Sequence, residues 1–300
     1  MFPLQSGQNK QRAGAHNVGV RALVMGLCAL LTGCGTGLFL HISPRSFDER
    51  LKLLLGGGSN VTVLLHGRGE ALVVDTKFGN FSRRLRNDVE LELGRKVRRI
   101  VLTHAHFDHA GGVKLFPEVA VVMVHPNARK RLEAEGVHAA FVEVEREIRL
   151  VLDGDEVRVL SIGSGHTDGD LVALLPGRKL LIAGDLVNDG FEPYCDTKFG
   201  GDILALSRTL PELMTLDFEQ AVPGHGEVMT RAKVQLLADY VVALRTQVAQ
   251  ARAEGLSEDD VVRKVTLSEY TLKSFLAGTA SREGNVRAMF RALAAEGKSR

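Results

Sequence analysis

Residues 103–112 read THAHFDHAGG. Three histidines (His104, His106, His109) and one carboxylate (Asp108) fall within six positions, and a Gly-Gly pair follows. The whole chain holds only ten histidines, so three in so short a stretch imply a joint task. The preceding VRRIVLTH is an apolar, β-branched run of the kind that forms a buried strand. His104 and His106 stand two apart at its end, so their imidazoles are expected to leave one face. Asp108 and His109 come after the chain turns, and Gly111-Gly112 allows a tight passage into the next segment. Four ligand-type side chains therefore converge on one small volume. A catalytic zinc takes three protein ligands and keeps one position open. His-x-His-x-Asp-His is too many ligands for one such ion and too few for two.

Further ligands would have to arrive from other strand ends on the same edge. His166 sits in GSGHTDGD after the strand pattern EVRVLSIG, Asp185 in LLIAGDLV after KLLIAG, and His225 in VPGHGE after EQAV. Each is flanked by glycine, which lets the backbone approach and turn. The set divides into His104, His106 and His166 for one metal and Asp108, His109 and His225 for the other. Asp185 would bridge them, with two ions about 3.5–4 Å apart sharing a hydroxide. A single histidine at a strand end is commonly just a satisfied polar residue. Four separate segments delivering ligand types to strand ends make that reading inadequate for the set.

The same alternation of strand and helix runs through residues 60–230, which is the signature of an α/β domain. NVTVLLHGRGEALVVDT reads as two strands around a glycine turn, and RRLRNDVELELG as a short helix. AVVMVH is a further strand, and PNARKRLEAEG a helix opened by Pro126 and stopped by Gly136. ILALSRTLPELMTL has helical spacing. Beyond residue 230 the pattern turns wholly helical: Val234, Leu237, Val241, Leu244 and Val248 recur every three to four residues, and Gly255 follows as a stop. Ser257 and Asp260 resemble a capping box, and NVRAMFRALAAEG makes a last helix.

The motifs HAHFDH, GHTDGD, AGD and PGHG, in this order and at about these separations, resemble the metallo-β-lactamase superfamily over about residues 50–230. The resemblance implies a four-layer αββα sandwich with a dimetal site at one edge between two sheets. It also implies that Asp75, in LVVDT, supports the site without being a ligand. GGGSN, DLVNDGFEPYCDTKFGG and the helical tail look like one branch of small metallo-hydrolases. The expected enzyme is a metal-dependent hydrolase with two divalent ions, zinc first and iron or manganese as alternatives for a His/Asp set. Asp108 is both a ligand and the catalytic candidate that orients the hydroxide.

In many true β-lactamases of this superfamily the bridging position is cysteine; here it is Asp185, as in glyoxalase-like thioesterases, lactonases and phosphodiesterases. An ester, thioester or lactone substrate is therefore the first expectation and β-lactam hydrolysis the second. Persulfide dioxygenases resemble the same ligand set but use one iron. A non-catalytic metal-binding lipoprotein would be expected to have lost some ligands. Tyr194 is a candidate proton donor against a packing role, and Cys195 reads as an inert thiol. His66, His125 and His138 match no ligand motif and read as structural or surface residues. Loops 76–90 and 186–205 are expected to carry specificity.

Composition narrows the partners. At 45% hydrophobic and 25% charged residues the 300-residue chain is an ordinary globular protein. Trp is absent and aromatics are 5%, against an aromatic groove for sugars or single-stranded nucleic acid. Residues 1–33 hold three basic side chains (Lys10, Arg12, Arg21) of the chain's 38 and none of its 36 acidic ones, leaving 35 against 36 elsewhere. A near-neutral body argues for a small-molecule substrate and against nucleic acid. RRLR (83–86) and RKVRR (95–99) could make a phosphate-binding surface but read more simply as a solvated face. Oligomeric state leaves no trace.

The front end reads as an address. ALVMGLCALL (22–31) is a short apolar run after positive charge, and it ends in Leu-Thr-Gly-Cys, with Cys34 last. Those are the parts of a secretory signal, and the ending resembles the lipobox of bacterial lipoproteins, in which the cysteine is lipidated. The alternative is a transmembrane anchor, because no charge occurs from Ala22 to Leu40; that window contains four glycines and would insert weakly. The expected organisation is a signal peptide at 1–33, a tether at 34–50, the metallo-β-lactamase-like domain at 51–230 and a helical extension at 231–300. The mature protein would face the periplasm or cell exterior, anchored by lipid on Cys34. Removal of Cys28 and lipidation of Cys34 would leave Cys195 alone, so no internal disulfide is expected.

Overall fold

The computed structural model of the chain describes residues 41–274 and 280–297. The signal segment, Cys34 and the start of the expected tether lie outside the described residues. Two sheets organise the rest. The first runs in chain order from edge to edge: β1 (Ile42–Ser46), β2 (Leu51–Gly56), β3 (Val61–His66), β4 (Glu70–Val74), β5 (Lys96–Val101), β6 (Val121–Val124) and β7 (Phe141–Glu143). Its first four strands are antiparallel neighbours; from β4 to β7 the pairing is parallel. Helices α1 (Gly79–Asn87), α2 (Phe107–Ala110) and α3 (Pro126–Ala134) fall in the connections of the parallel half.

The second sheet has the order β13-β12-β11-β10-β9-β8, from β8 (Glu147–Leu152), β9 (Asp155–Leu160), β10 (Val172–Leu175), β11 (Leu180–Gly184), β12 (Gln220–Pro223) and β13 (Met229–Thr230). Only β11 and β12 are parallel in it, joined through α4 (Ile203–Leu213). After β13 come α5 (Arg231–Ala253), α6 (Glu258–Lys264) and α7 (Arg282–Glu296).

Side-chain parity explains the layering. In β4, Ala71 and Val73 join an apolar cluster with Leu85 of α1 and Leu132 of α3, while Leu72 and Val74 join a second cluster with residues of the other sheet. In β11, Leu180 and Ile182 enter that shared inter-sheet cluster, and Leu181 and Ala183 enter a third with α4, α5, α6 and α7. Successive residues of a strand point to opposite faces, so strands apolar on both faces can be covered on both faces only. Three apolar layers between four layers of structure, αββα, are the result. Each fully buried Leu or Val contributes roughly 1.5–3 kcal/mol, so a one-residue slip of β4 or β11 would exchange two cores at once.

Several strands carry no sequence expectation. Residues 42–46, read above as tether, are the edge strand β1, and its Pro44 sits where a missing N–H is tolerated. β7, β10 and β13 run only two to four residues, too brief to announce their type, and the six-residue β2 and β8 likewise carry no expectation. The helices follow the sequence more closely. Thr230 caps α5 through Lys233 N, Ser257 caps α6 through Asp260 N, and Gly255 adopts φ 80 after α5. The basic clusters meet acids: Arg84 with Asp88 at 2.6 Å, Arg86 with Glu90 at 2.8 Å and Lys96 with Glu118 at 3.0 Å. Among the described residues no helix is long and apolar enough to cross a membrane.

Candidate metal centre

All seven expected ligands meet at one edge of the sandwich, delivered by both sheets. β5 ends at Val101, and Leu102 and Thr103 lead to buried His104. His106 is the extended N-cap of the single-turn α2, which places Asp108 and His109 on its first turn. From the second sheet, His166 lies between β9 and β10, Asp185 follows the last residue of β11, and His225 follows β12. Gly184 joins the two edges: its φ is 52, and a Cβ there would lie 2.6 Å from the Thr103 Cβ. Gly111 and Gly112 make the tight passage expected of them, a turn between α2 and the next helical turn. Both have right-handed backbones (φ −63 and −87). What requires glycine is proximity, since a Cβ on Gly112 would stand 2.2 Å from the Thr76 carbonyl oxygen.

The donors form two groups. His104 Nε2 and His166 Nε2 lie 3.0 and 2.8 Å from His106 Nδ1. Asp108 Oδ2 lies 3.6 Å from His109 Nε2 and 3.4 Å from His225 Nε2. Asp185 touches both: its Oδ2 is 3.4 Å from His166 Nε2 and 3.3 Å from His225 Nε2, and its Oδ1 is 3.2 Å from His109 Nε2. Each group offers ligand atoms within 4.8 Å of one another, as a metal site requires.

Hydrogen bonds behind the donors fix which nitrogen each ring presents. His109 Nδ1 donates to Asp75 Oδ2 at 2.7 Å. Asp75 also accepts from Thr103 N and Thr103 Oγ1, both at 2.8 Å. With its proton given to Asp75, the Thr103 hydroxyl accepts from His104 Nδ1 at 3.0 Å. His166 Nδ1 donates to the Tyr194 carbonyl at 2.8 Å, and His106 Nε2 donates to Asp196 Oδ2 at 3.1 Å. Each of these four rings spends one nitrogen on a support and turns the lone pair of the other inward. That division is what metal-ligating histidines show.

Charge completes the fit. Burial holds His104, His106 and His166 below the usual imidazole range, so they stay neutral and ligand-competent. Burial also acts against His109 and His225, but Asp185 and Asp108 outweigh it and raise both. Burial would raise Asp185; the facing His225, His109 and His166 prevail and hold it well below the usual carboxylate range. The carboxylates therefore call for positive charge in a dry site. His109 Nε2 and Asp185 Oδ1 are buried and not aligned for a hydrogen bond with each other or with any described group. Divalent cations would satisfy both the lone pairs and the charge.

Several supports carry no signal in the sequence. Asp196 and the Tyr194 carbonyl come from a loop with no readable spacing. Ser59 Oγ donates to the Asp108 carbonyl at 2.7 Å. Asn60 Nδ2 donates to the Pro223 and Gly226 carbonyls, both at 2.9 Å, which brackets His225. Lys77 is fully buried, and its ammonium donates to the carbonyls of Leu54, Gly56 and Ser59, pinning the GGGSN loop. Burial pushes its pKa down to about 7. The residues set aside behave as expected: His125 caps α3 through Asn127 N, His66 packs beside Arg99 and Glu70, and His138 is exposed. Burial raises the Cys195 thiol well above its ordinary value, which keeps it protonated.

Comparison with known proteins agrees with this geometry. A "Metallo-beta-lactamase type 2" of Bacillus cereus is 25% identical over 177 residues, 58% of this chain and 69% of the relative. "Acyl-coenzyme A thioesterase MBLAC2" of Homo sapiens is 27% identical over 250 residues, 69% of this chain and 85% of the relative. Among solved structures, a double mutant of the sec-alkyl sulfatase PisA1 superposes with a TM-score of 0.68 at 14% identity, covering 84% of this chain and 50% of that one, a likeness of fold alone. The profile of the Metallo-beta-lactamase superfamily matches residues 54–225, from the end of β2 to the last of the converging histidines. With that match, two mixed sheets between helices and a paired His/Asp centre at their edge, the chain belongs to the metallo-β-lactamase superfamily.

Proposed function

We propose that the protein is a binuclear hydrolase of ester, thioester or lactone substrates. In this reading His104, His106 and His166 hold one ion, Asp108, His109 and His225 the other, and Asp185 bridges them. The observation that carries it is the Asp185 carboxylate, within 3.4 Å of a donor of the first group and 3.3 Å of donors of the second. Two divalent ions, zinc first among the candidates, would supply an activated water and polarise the substrate carbonyl. The protein's own part is to bind, orient and exclude. Asp108, with its side chain partly exposed between His109 and His225, would orient the attacking water. Asp75, Thr103, Tyr194 and Asp196 keep the imidazoles in the ligand tautomer. Phe107, 51% exposed beside the site, stacks edge-on with Phe78 at 5.0 Å, and Phe78 likewise with Phe81 at 5.5 Å. That aromatic wall suits the apolar part of an acyl substrate. The thioesterase named among the relatives supports the same class.

A second reading, β-lactam hydrolysis, is favoured by the Bacillus cereus relative. One experiment separates these: elemental analysis of purified protein, with a hydrolysis screen of esters, thioesters, lactones and β-lactams. Two ions per chain and turnover of acyl esters or thioesters are expected. One iron per chain, as in a persulfide dioxygenase-like oxidation, or turnover of β-lactams alone, would overturn the first reading. We further propose that the protein is exported and held at the outer face of the cytoplasmic membrane by lipid on Cys34. The basic leader and the LTGC ending support it; Cys34→Ser should abolish labelling by radioactive palmitate, and labelling that persists would refute it.

A further inference from the structure

The second ligand group and two of the three histidines of the first are supported from different parts of the chain; His104 shares the Thr103–Asp75 support of the first sheet. Behind Asp108, His109 and His225 stand Asp75, Ser59 and Asn60, all from the first sheet and its loops. Behind His106 and His166 stands the loop after Asp185. Tyr194 O takes the His166 Nδ1 proton, Asp196 Oδ2 takes the His106 Nε2 proton, and Asp196 N donates back to the His166 carbonyl at 2.8 Å. Phe199 adds an edge contact to the His106 ring at 4.4 Å.

The C-terminal helices grip that loop most closely around Glu192, with Lys233 Nζ of α5 donating to Asp189 Oδ1 at 2.9 Å as a further tie. Glu192 is 6% exposed, although it is a carboxylate. Its Oε2 accepts from the Tyr240 hydroxyl of α5 and from Asn285 Nδ2 of α7 at 3.0 Å. Its backbone N donates to the Lys273 carbonyl at 2.8 Å, and Lys273 N donates to the Gly190 carbonyl at 2.9 Å. Three separated positions of the extension thus hold one residue, two before Tyr194 and four before Asp196. A buried carboxylate is a poor way to gain stability, since an apolar side chain of similar volume often serves as well. Bonded from two helices and through its own backbone, however, it is fixed in one place.

We propose that the Tyr240–Glu192–Asn285 clasp is a positioning device for one half of the metal centre. Through the 192–196 segment it sets the affinity of the His104/His106/His166 group and leaves the Asp108/His109/His225 group unaffected. The C-terminal helices thereby make the two metal positions unequal. This rests on the dinuclear reading above.

The test is metal-free protein titrated with Co2+ in competition with a chelator, each equivalent followed by its visible absorption. The wild type should take up two equivalents. In Tyr240→Phe, which keeps the buried ring, one equivalent should weaken at least about ten-fold, the size seen when partners of ligating groups are lost, and the other should not change. Asn285→Ala should do the same from the other side of Glu192. Met289→Ala, in the same apolar layer but off the clasp, should lower the unfolding midpoint and leave both affinities alone. Equal affinities in wild type and both clasp variants, or parallel loss of both equivalents, would overturn the clasp while the dinuclear reading stands. A wild type that binds fewer than two equivalents would overturn the dinuclear reading, and the clasp with it.

Discussion

Changing Asp75 to asparagine should weaken metal binding more than it weakens the fold. The carboxylate is 1% exposed and accepts three hydrogen bonds, from Thr103 N, Thr103 Oγ1 and His109 Nδ1. Asparagine has one acceptor oxygen and one amide donor. With the oxygen in the Oδ1 place, Thr103 N keeps its bond; the Thr103 hydroxyl can turn to accept, but His109 must move its proton from Nδ1 to Nε2, losing the inward lone pair. With the oxygen in the Oδ2 place, His109 is preserved and the amide opposes the buried Thr103 N–H. The second arrangement leaves the buried Thr103 N–H and the new amide facing each other without acceptors, at about 1–3 kcal/mol for each unmatched donor. The backbone adds little, because φ at Asp75 is 66 and asparagine tolerates that region. The first arrangement spares the fold and should reduce metal affinity about ten- to hundred-fold. Urea unfolding of metal-free protein and chelator competition at pH 7 measure the two effects separately. A variant with wild-type stability and wild-type metal affinity would refute the reasoning.

Asp185→Asn should remove most hydrolytic activity with little change in far-UV circular dichroism, because the carboxylate proposed to bridge the ions loses its charge and one oxygen while the volume stays; unchanged turnover would defeat the proposed bridging role. Burial raises the Asp170 carboxyl from its ordinary 3.8 to about 6, against the bonds it accepts from Thr167. Its folded form therefore holds a proton that the unfolded chain releases, and the associated stability, complete below pH 4, is lost as pH rises through 6. Relative to Asp170→Asn, the metal-free wild type should lose about 3 kcal/mol across that window, read from urea midpoints at several pH values; a difference independent of pH would contradict it.

The helices were the more legible part of the fold. Pro126, Gly136, Gly255 and the Ser257–Asp260 pair bound their helices as expected, because caps and stops act within a few residues of themselves. Strands declare themselves less well. β1 was hidden by Pro44 and by the polar residues around it, and β10, four apolar residues long, has no period to read. Their identity comes from the neighbour they pair with, Leu54 opposite Pro44 and Leu160 opposite Val172, which lies elsewhere in the chain.

The centre divides in the same way. Four of the seven donor residues occupy one stretch of six positions, and the other three stand beside glycines after strands, so donor chemistry could be read along the chain. The need for glycine at Gly112 could not, since the Thr76 carbonyl that excludes a side chain is brought there by β4. Asp196, Asn60 and Lys77 were equally silent, because a carboxylate, an amide or an ammonium shows no partner until folding supplies one. Sequence alone determined which atoms can bind cations, since that is a property of each side chain. Tertiary structure decided which nitrogen each ring presents, how the donors divide and what holds them, because hydrogen bonds between distant residues exist only once both sheets and the C-terminal helices are packed.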